Sequence, residues 1–320
     1  MDIPFIVLLI VACVVLIFFA TCYLCFRLTF YVTNKEKKHV EGQIPPGKVY
    51  LSYRETLNKW EKEIKAFDRE ELCIKSFDGL SLRATYYEFY KGAPVEIMFH
   101  GYRGSSARDL CGGVLRCKKL KRNVITVDQR GCGKSDGHVV SFGINERYDA
   151  QSWAKYAYEK FGDNVQLILT GISMGASTVL LASSLDLPKT VVGVVADCGY
   201  NSAKEIIKKV IKGLGLWANL FYPLVRLGGK IFGGFDIEKT TAEKEMENCK
   251  IPVIFLHGKA DDFVPCEMSR KNYEACVSEK ELVLFDGAGH GLALAKDEEK
   301  YLKALKDFEK NYQLCQNLSN

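Results

Sequence analysis

From residue 95 onward, short and nearly continuous apolar runs alternate with longer amphipathic stretches. The runs are VEIMF (95–99), NVITV (123–127), VQLILT (165–170), VVGVVA (191–196), IPVIFL (251–256) and ELVLF (281–285). Runs apolar on both faces suit strands of a parallel sheet covered by helices on each side. Stretches such as NERYDAQSWAKYAYEKF between them have helical character, so the pattern predicts a doubly wound α/β domain with a mostly parallel sheet. Ahead of these, ELCIKSF and LSLRATYYEF alternate around Asp78-Gly79, predicting a hairpin closed by a type I′ turn. RETLNKWEKEIKAFDREEL (54–72) predicts a charged, exposed helix.

Two stretches depart from this alternation. Ile3 to Phe26 holds 24 residues without a charge. As a helix it would be about 36 Å long, against a hydrocarbon core of about 30 Å, which predicts a transmembrane span. A secretory signal would need a basic lead and a shorter apolar stretch, whereas only Asp2 precedes this run. Arg27, Lys35, Lys37 and Lys38 follow it, so the positive-inside rule places the body of the protein in the cytoplasm. After a polar linker with a Pro-Pro-Gly break, the helical and stranded pattern begins. The second departure is the connection of about fifty residues between VVADCG and CKIPVIF, too long for an ordinary crossover. Its apolar positions 206, 207, 210, 211 and 214 repeat at helical spacing, and residues 199–235 hold six basic side chains and one acid.

Composition changes this picture little. The chain is 48% apolar and 26% charged with a net charge of +5, too mild to imply nucleic acid. Nine of its twelve cysteines lie outside the span, with no CxxC pair and no zinc-ligand spacing, which suits reduced, mostly buried thiols. No cofactor or metal is implied.

In an open parallel sheet, reactive groups gather at the carboxyl ends of the strands. After VQLILT comes Gly171-Ile172-Ser173-Met174-Gly175, a G-x-S-x-G turn leading into a helical stretch. Such an elbow needs glycine at its flanks and presents the serine hydroxyl above the sheet. The serine needs a base. His290, in FDGAGHG after the last run, can reach back over the sheet, whereas His39 lies in the linker. The histidine needs a carboxylate, and HGKADDFVP after IPVIFL offers Asp261 and Asp262, with Asp197 after VVGVVA as a further candidate. GCGKS (131–135) suggests a phosphate loop, but the required first glycine is Asp128, so nucleotide binding is not supported.

FHGYRGSS, VDQRGCGKSDG, GISMGAS, HGKADDFVP and GAGHG stand in one order across residues 72–310. In this the chain resembles the α/β-hydrolase-fold serine hydrolases, particularly the serine-aminopeptidase-like group with its esterases and monoacylglycerol-lipase-like enzymes. The resemblance implies an α/β-hydrolase core (72–198 and 249–320) and a helical cap insertion (199–248), which stand beside the N-terminal membrane anchor (1–27) and the linker and helix (28–71) predicted from the residue pattern. It selects Asp261 as the acid, with Asp197 second, and gives a Ser173–His290–Asp261 triad. It assigns the oxyanion donors to the backbone N–H groups of Tyr102 and Met174, and makes GCGKS a structural turn at the rim of the site. It makes His100 a structural residue of the first turn and the cap the source of the acyl or leaving-group pocket. The expected reaction is hydrolysis of a small-molecule or lipid carboxylic ester at the cell membrane. Lysophospholipase, monoacylglycerol-lipase, thioesterase and peptidase activities stay open, as does a non-catalytic binding role. The basic, aromatic cap is a candidate second contact with anionic lipid.

Overall fold

Eight strands pair into one sheet in the order β1-β2-β4-β3-β5-β6-β7-β8. The structure, a computed structural model, describes residues 3–39 and 47–315, so the Pro-Pro pair of the predicted linker break lies outside the described residues. The strands are β1 Glu70–Lys75, β2 Ser81–Tyr87, β3 Val95–Phe99, β4 Asn123–Asp128, β5 Leu167–Ile172, β6 Val191–Asp197, β7 Val253–Gly258 and β8 Lys280–Phe285. Strands β3 to β8 run parallel, and the β1–β2 hairpin joins antiparallel along β4. The predicted runs are all strands. β5 and β7 are shifted two residues toward the carboxyl end, which carries strand geometry up to the edge of the serine turn.

The alternation along each strand distributes residues to two cores. Ile97 and Phe99 face Trp153, Val179 and Leu180 from the helices Glu146–Phe161 and Met174–Ala182. Met98 and Val124 face Val114 and Leu115 of the helix Cys111–Lys119 on the other side. Ile168, Val195 and Ile254 complete that second face against Tyr301, Leu305 and Phe308 of the helix Glu298–Asn311.

The hairpin forms as predicted, but its turn is not type I′. That geometry needs positive φ at both central residues, and of Asp78 and Gly79 only Gly79 has it, at 90°. Gly79 N–H donates to Ser76 O, and the Ser76 hydroxyl donates to Asp78, so a five-residue loop spans the strands.

The predicted exposed helix is also different. It ends at Lys65, buries Glu61 and Ile64, and packs on the helix Cys111–Lys119. Leu57, Trp60 and Ile64 form a stripe at helical spacing that the helix's seven charged residues conceal in the sequence.

The N-terminal helix Ile3–Thr29 is solvent-exposed along most of its length, yet Cys22 and Phe26 are buried. Its last turns cross the cap helix Ala218–Gly228, where a side chain at Gly228 would come within 2.6 Å of Cys22 O. Beyond it, Phe30 packs edge-on against Phe142 and Phe235, and Tyr31 bridges to Val139. The chain is thus seated on the core at the start of the predicted linker segment.

Candidate active site

The turn between β5 and the following helix holds Ser173 at φ 56° and ψ −119°, a conformation unusual for a residue with a side chain. Both flanking glycines are sterically required. A Cβ on Gly171 would overlap the Gly175 backbone, and one on Gly175 would overlap Phe99 O. Ser173 N–H donates to Asp197 O at 2.8 Å, which ties the turn to β6.

His290 arrives on the loop after β8. Its Nε2 lies 2.9 Å from Ser173 Oγ and its Nδ1 lies 2.7 Å from Asp261 Oδ2. The structure therefore brings together the three residues singled out in the sequence. Asp262 makes no bond to His290, and Asp197 accepts from the Tyr301 hydroxyl at 2.9 Å instead.

Asp261 is held more tightly than sequence reasoning foresaw. Its Oδ1 accepts from the N–H groups of Phe263 (3.0 Å) and Val264 (2.8 Å). A second histidine, His257, places Nε2 at 3.2 Å from Oδ2 and at 2.8 Å from Val264 O. Two acceptors there make Nε2 the protonated nitrogen, leaving Nδ1 to accept from the Ser269 hydroxyl at 2.7 Å. Burial alone would raise the Asp261 carboxyl, but hydrogen bonds from His257 and His290 outweigh it and hold it at about 2. It is a carboxylate at neutral pH. His257 was missed as a site residue, and its only signal was its place four residues before Asp261.

The HGYRG turn after β3 faces the serine, with the Cβ position of Gly101 only 3.5 Å from Ser173 Cβ. Among the described residues, the backbone N–H groups of Tyr102 and Met174 have no hydrogen-bond partner. His100 accepts from Gln129 N–H through Nε2 (3.0 Å) and so donates through Nδ1 to Gly101 O (2.7 Å), which shapes the turn. GCGKS is likewise a turn. Asp128 accepts from Ser106 N–H and Lys134 N–H, and a Cβ on Gly133 would overlap that carboxylate. The Lys134 ammonium pairs with Glu71 on the surface.

From Ser173 a cavity of about 520 Å³ opens, lined mainly by apolar side chains. Its walls include Val49, Leu57, Trp60, Met98, Ile172 and Leu294. Residues 199–248 line none of it, which corrects the expected origin of the pocket. The roof is instead the segment that follows the linker. Trp60 lies against Gly112, where a Cβ would come within 2.5 Å of the indole.

Comparison with known proteins agrees with this architecture. Residues 97–249 match the family described as alpha/beta hydrolase fold, and residues 230–298 match the family described as serine hydrolase (FSH1). The chain is 26% identical over 192 residues to the uncharacterized protein YqkD of Bacillus subtilis, covering 59% of this chain and 62% of that one. It is 24% identical over 206 residues to the protein bem46 of Schizosaccharomyces pombe, covering 64% and 62%. The chain thus spans about three-fifths of the length of these curated relatives. A solved esterase of Pyrococcus furiosus, Pf2001, superposes with a TM-score of 0.64 at 21% identity, covering 78% of this chain and 94% of that one. The mouse alpha/beta hydrolase domain-containing protein 10 superposes with a TM-score of 0.55 at 18% identity, covering 76% and 99%. Fold and matches together define an α/β-hydrolase-fold protein, two stretches of which match the alpha/beta hydrolase fold and serine hydrolase (FSH1) families.

Proposed function

We propose that this chain is a membrane-anchored carboxylic ester hydrolase working through an acyl-enzyme on Ser173. The observation that carries the reading is the hydrogen-bonded line Ser173–His290–Asp261 at the mouth of an apolar cavity. Ser173 Oγ attacks the ester carbonyl carbon while His290 Nε2 takes the hydroxyl proton. Asp261 keeps His290 in the right tautomer and stabilises its charged form. The N–H groups of Tyr102 and Met174 receive the oxyanion. His290 returns the proton to the departing alkoxide, and a water activated by the same nitrogen releases the acid from Ser173. The apolar walls favour an acyl chain as the group held in the cavity.

The test is fluorophosphonate labelling of the full chain in detergent micelles or liposomes. Labelling that vanishes in Ser173→Ala is expected. A folded, unlabelled native protein would overturn the reading and favour a binding role on a hydrolase scaffold.

The anchor reading rests on the N-terminal helix, whose 27 residues are long and apolar enough to cross a bilayer. Basic residues after it orient the hydrolase body to the cytoplasm. The cap extends the same surface. Phe232 packs on Tyr23 and Phe26, and Leu214, Trp217 and Leu220 stand exposed beside Lys208 and Lys212. We assign this face to the headgroup region of the same leaflet. Brominated lipid should quench a component of the fluorescence that Trp217→Phe removes; equal quenching in both proteins rules the contact out.

A further inference from the structure

The oxyanion turn and the end of the N-terminal helix are joined by side chains. The Tyr102 hydroxyl donates to Thr29 O at 2.6 Å. Arg103 Nη2 donates to Leu28 O at 2.9 Å and to Tyr31 O at 2.8 Å, and Nη1 meets Glu36 Oε1 at 3.0 Å. The last carbonyls of a helix have no partners within it and lie at the negative end of its dipole, so a guanidinium is well suited to cap them.

The partner groups are themselves fixed. Thr33 and Glu36 form a reciprocal cap: Thr33 N–H and hydroxyl each reach Glu36 Oε2 at 2.7 Å, and Glu36 N–H reaches the Thr33 hydroxyl at 3.2 Å. The helix exit is bound to the core by Val32 N–H to His138 O (2.7 Å) and Val140 N–H to Phe30 O (2.9 Å). Arg103 sits at φ 50°, a left-handed conformation that a residue with a side chain adopts only when its surroundings hold it there. Between Gly101, which faces Ser173, and this strained Arg103 lies the free N–H of Tyr102.

We infer that Arg103 is a positioning residue: by mooring the turn to the carbonyl end of the N-terminal helix, it and the Tyr102 hydroxyl aim the Tyr102 N–H at the oxyanion. Hydrolysis then depends on a helix that contributes no atom to the chemistry. The inference rests on the ester-hydrolase reading above.

The experiment uses the full chain in liposomes with a soluble chromogenic ester. A misaimed donor acts only where charge develops, so it lowers kcat and leaves KM in place. Arg103→Met should reduce kcat about 10²-fold, the loss typical of one oxyanion donor. Binding of a trifluoromethyl ketone, which forms a tetrahedral adduct on the serine, should weaken in step with kcat. Arg103→Lys should recover part of both. Tyr102→Phe, which removes one hydrogen bond and no backbone group, should cost kcat about fivefold. A thermal melt accompanies each variant; if Arg103→Met is unfolded, Tyr102→Phe decides. Native kcat in Tyr102→Phe, or a folded Arg103→Met with kcat and ketone affinity unchanged, overturns the inference while the hydrolase reading stands. A native chain that neither labels nor hydrolyses removes both.

Discussion

The segment 47–65 and the insertion 199–248 flank Ser173, and their roles are the reverse of what their sequences suggest. The insertion is long, aromatic and placed where a cap is expected, yet it lines none of the cavity and packs on the N-terminal helix through Gly228 and Phe232, and on Phe30 just beyond that helix through Phe235. The segment 47–65 is short and charged, yet Val49, Leu57 and Trp60 close the apolar cavity beside the serine. Charge density describes the outward face of a helix. Two apolar residues one turn apart, Leu57 and Trp60, are enough to make its inner face part of a wall.

The largest effect should arise between the two regions, at the acid. Asp261→Asn is expected to lower kcat about 10⁴-fold, because an amide cannot hold His290 in the required tautomer. A loss below tenfold would shift the acid's role toward Asp197. The same carboxylate also affects stability. Its pKa is held at about 2, below the ordinary value of 3.8, so its contribution is full above that ordinary value and disappears as pH falls toward 2. The difference corresponds to about 2 kcal/mol. Denaturant melts between neutral pH and pH ~2 should show Asp261→Asn losing less stability on acidification than the native chain.

Smaller effects separate the roof from the cap. Trp60→Ala should lower kcat/KM about tenfold for medium-chain esters, near the worth of one large apolar contact, and leave the shortest esters unaffected. Trp217→Ala, on the cap, should leave the chain-length profile unchanged. If Trp217→Ala alters the profile and Trp60→Ala does not, the roles assigned to the two regions are wrong.

Features set by neighbouring residues were readable before the structure. Every β-strand from 95 onward appeared as an apolar run, because a strand buried on both faces leaves no room for polarity. The Gly171-Ile-Ser173-Met-Gly175 turn was readable because both glycines are sterically compelled. Features set by distant residues were not. Nothing near Arg103 shows that its partners are carbonyls some seventy positions earlier. The hairpin turn failed for a different reason: Asp-Gly favours type I′, but the Ser76 hydroxyl competes for the backbone and widens the loop.

The sheet ends on one side at β1, and its outer edge has a consequence for a protein tethered to a bilayer as proposed above. Membrane tethering raises the frequency with which copies meet edge to edge. An unpaired strand would then invite copies to join into ribbons. Glu70 and Glu71 stand exposed on β1, paired with Lys160 and Lys134, and Lys75 stands exposed at its end. Charges of both signs along that border discourage strand-to-strand assembly, so crowding on a bilayer need not lead to aggregation.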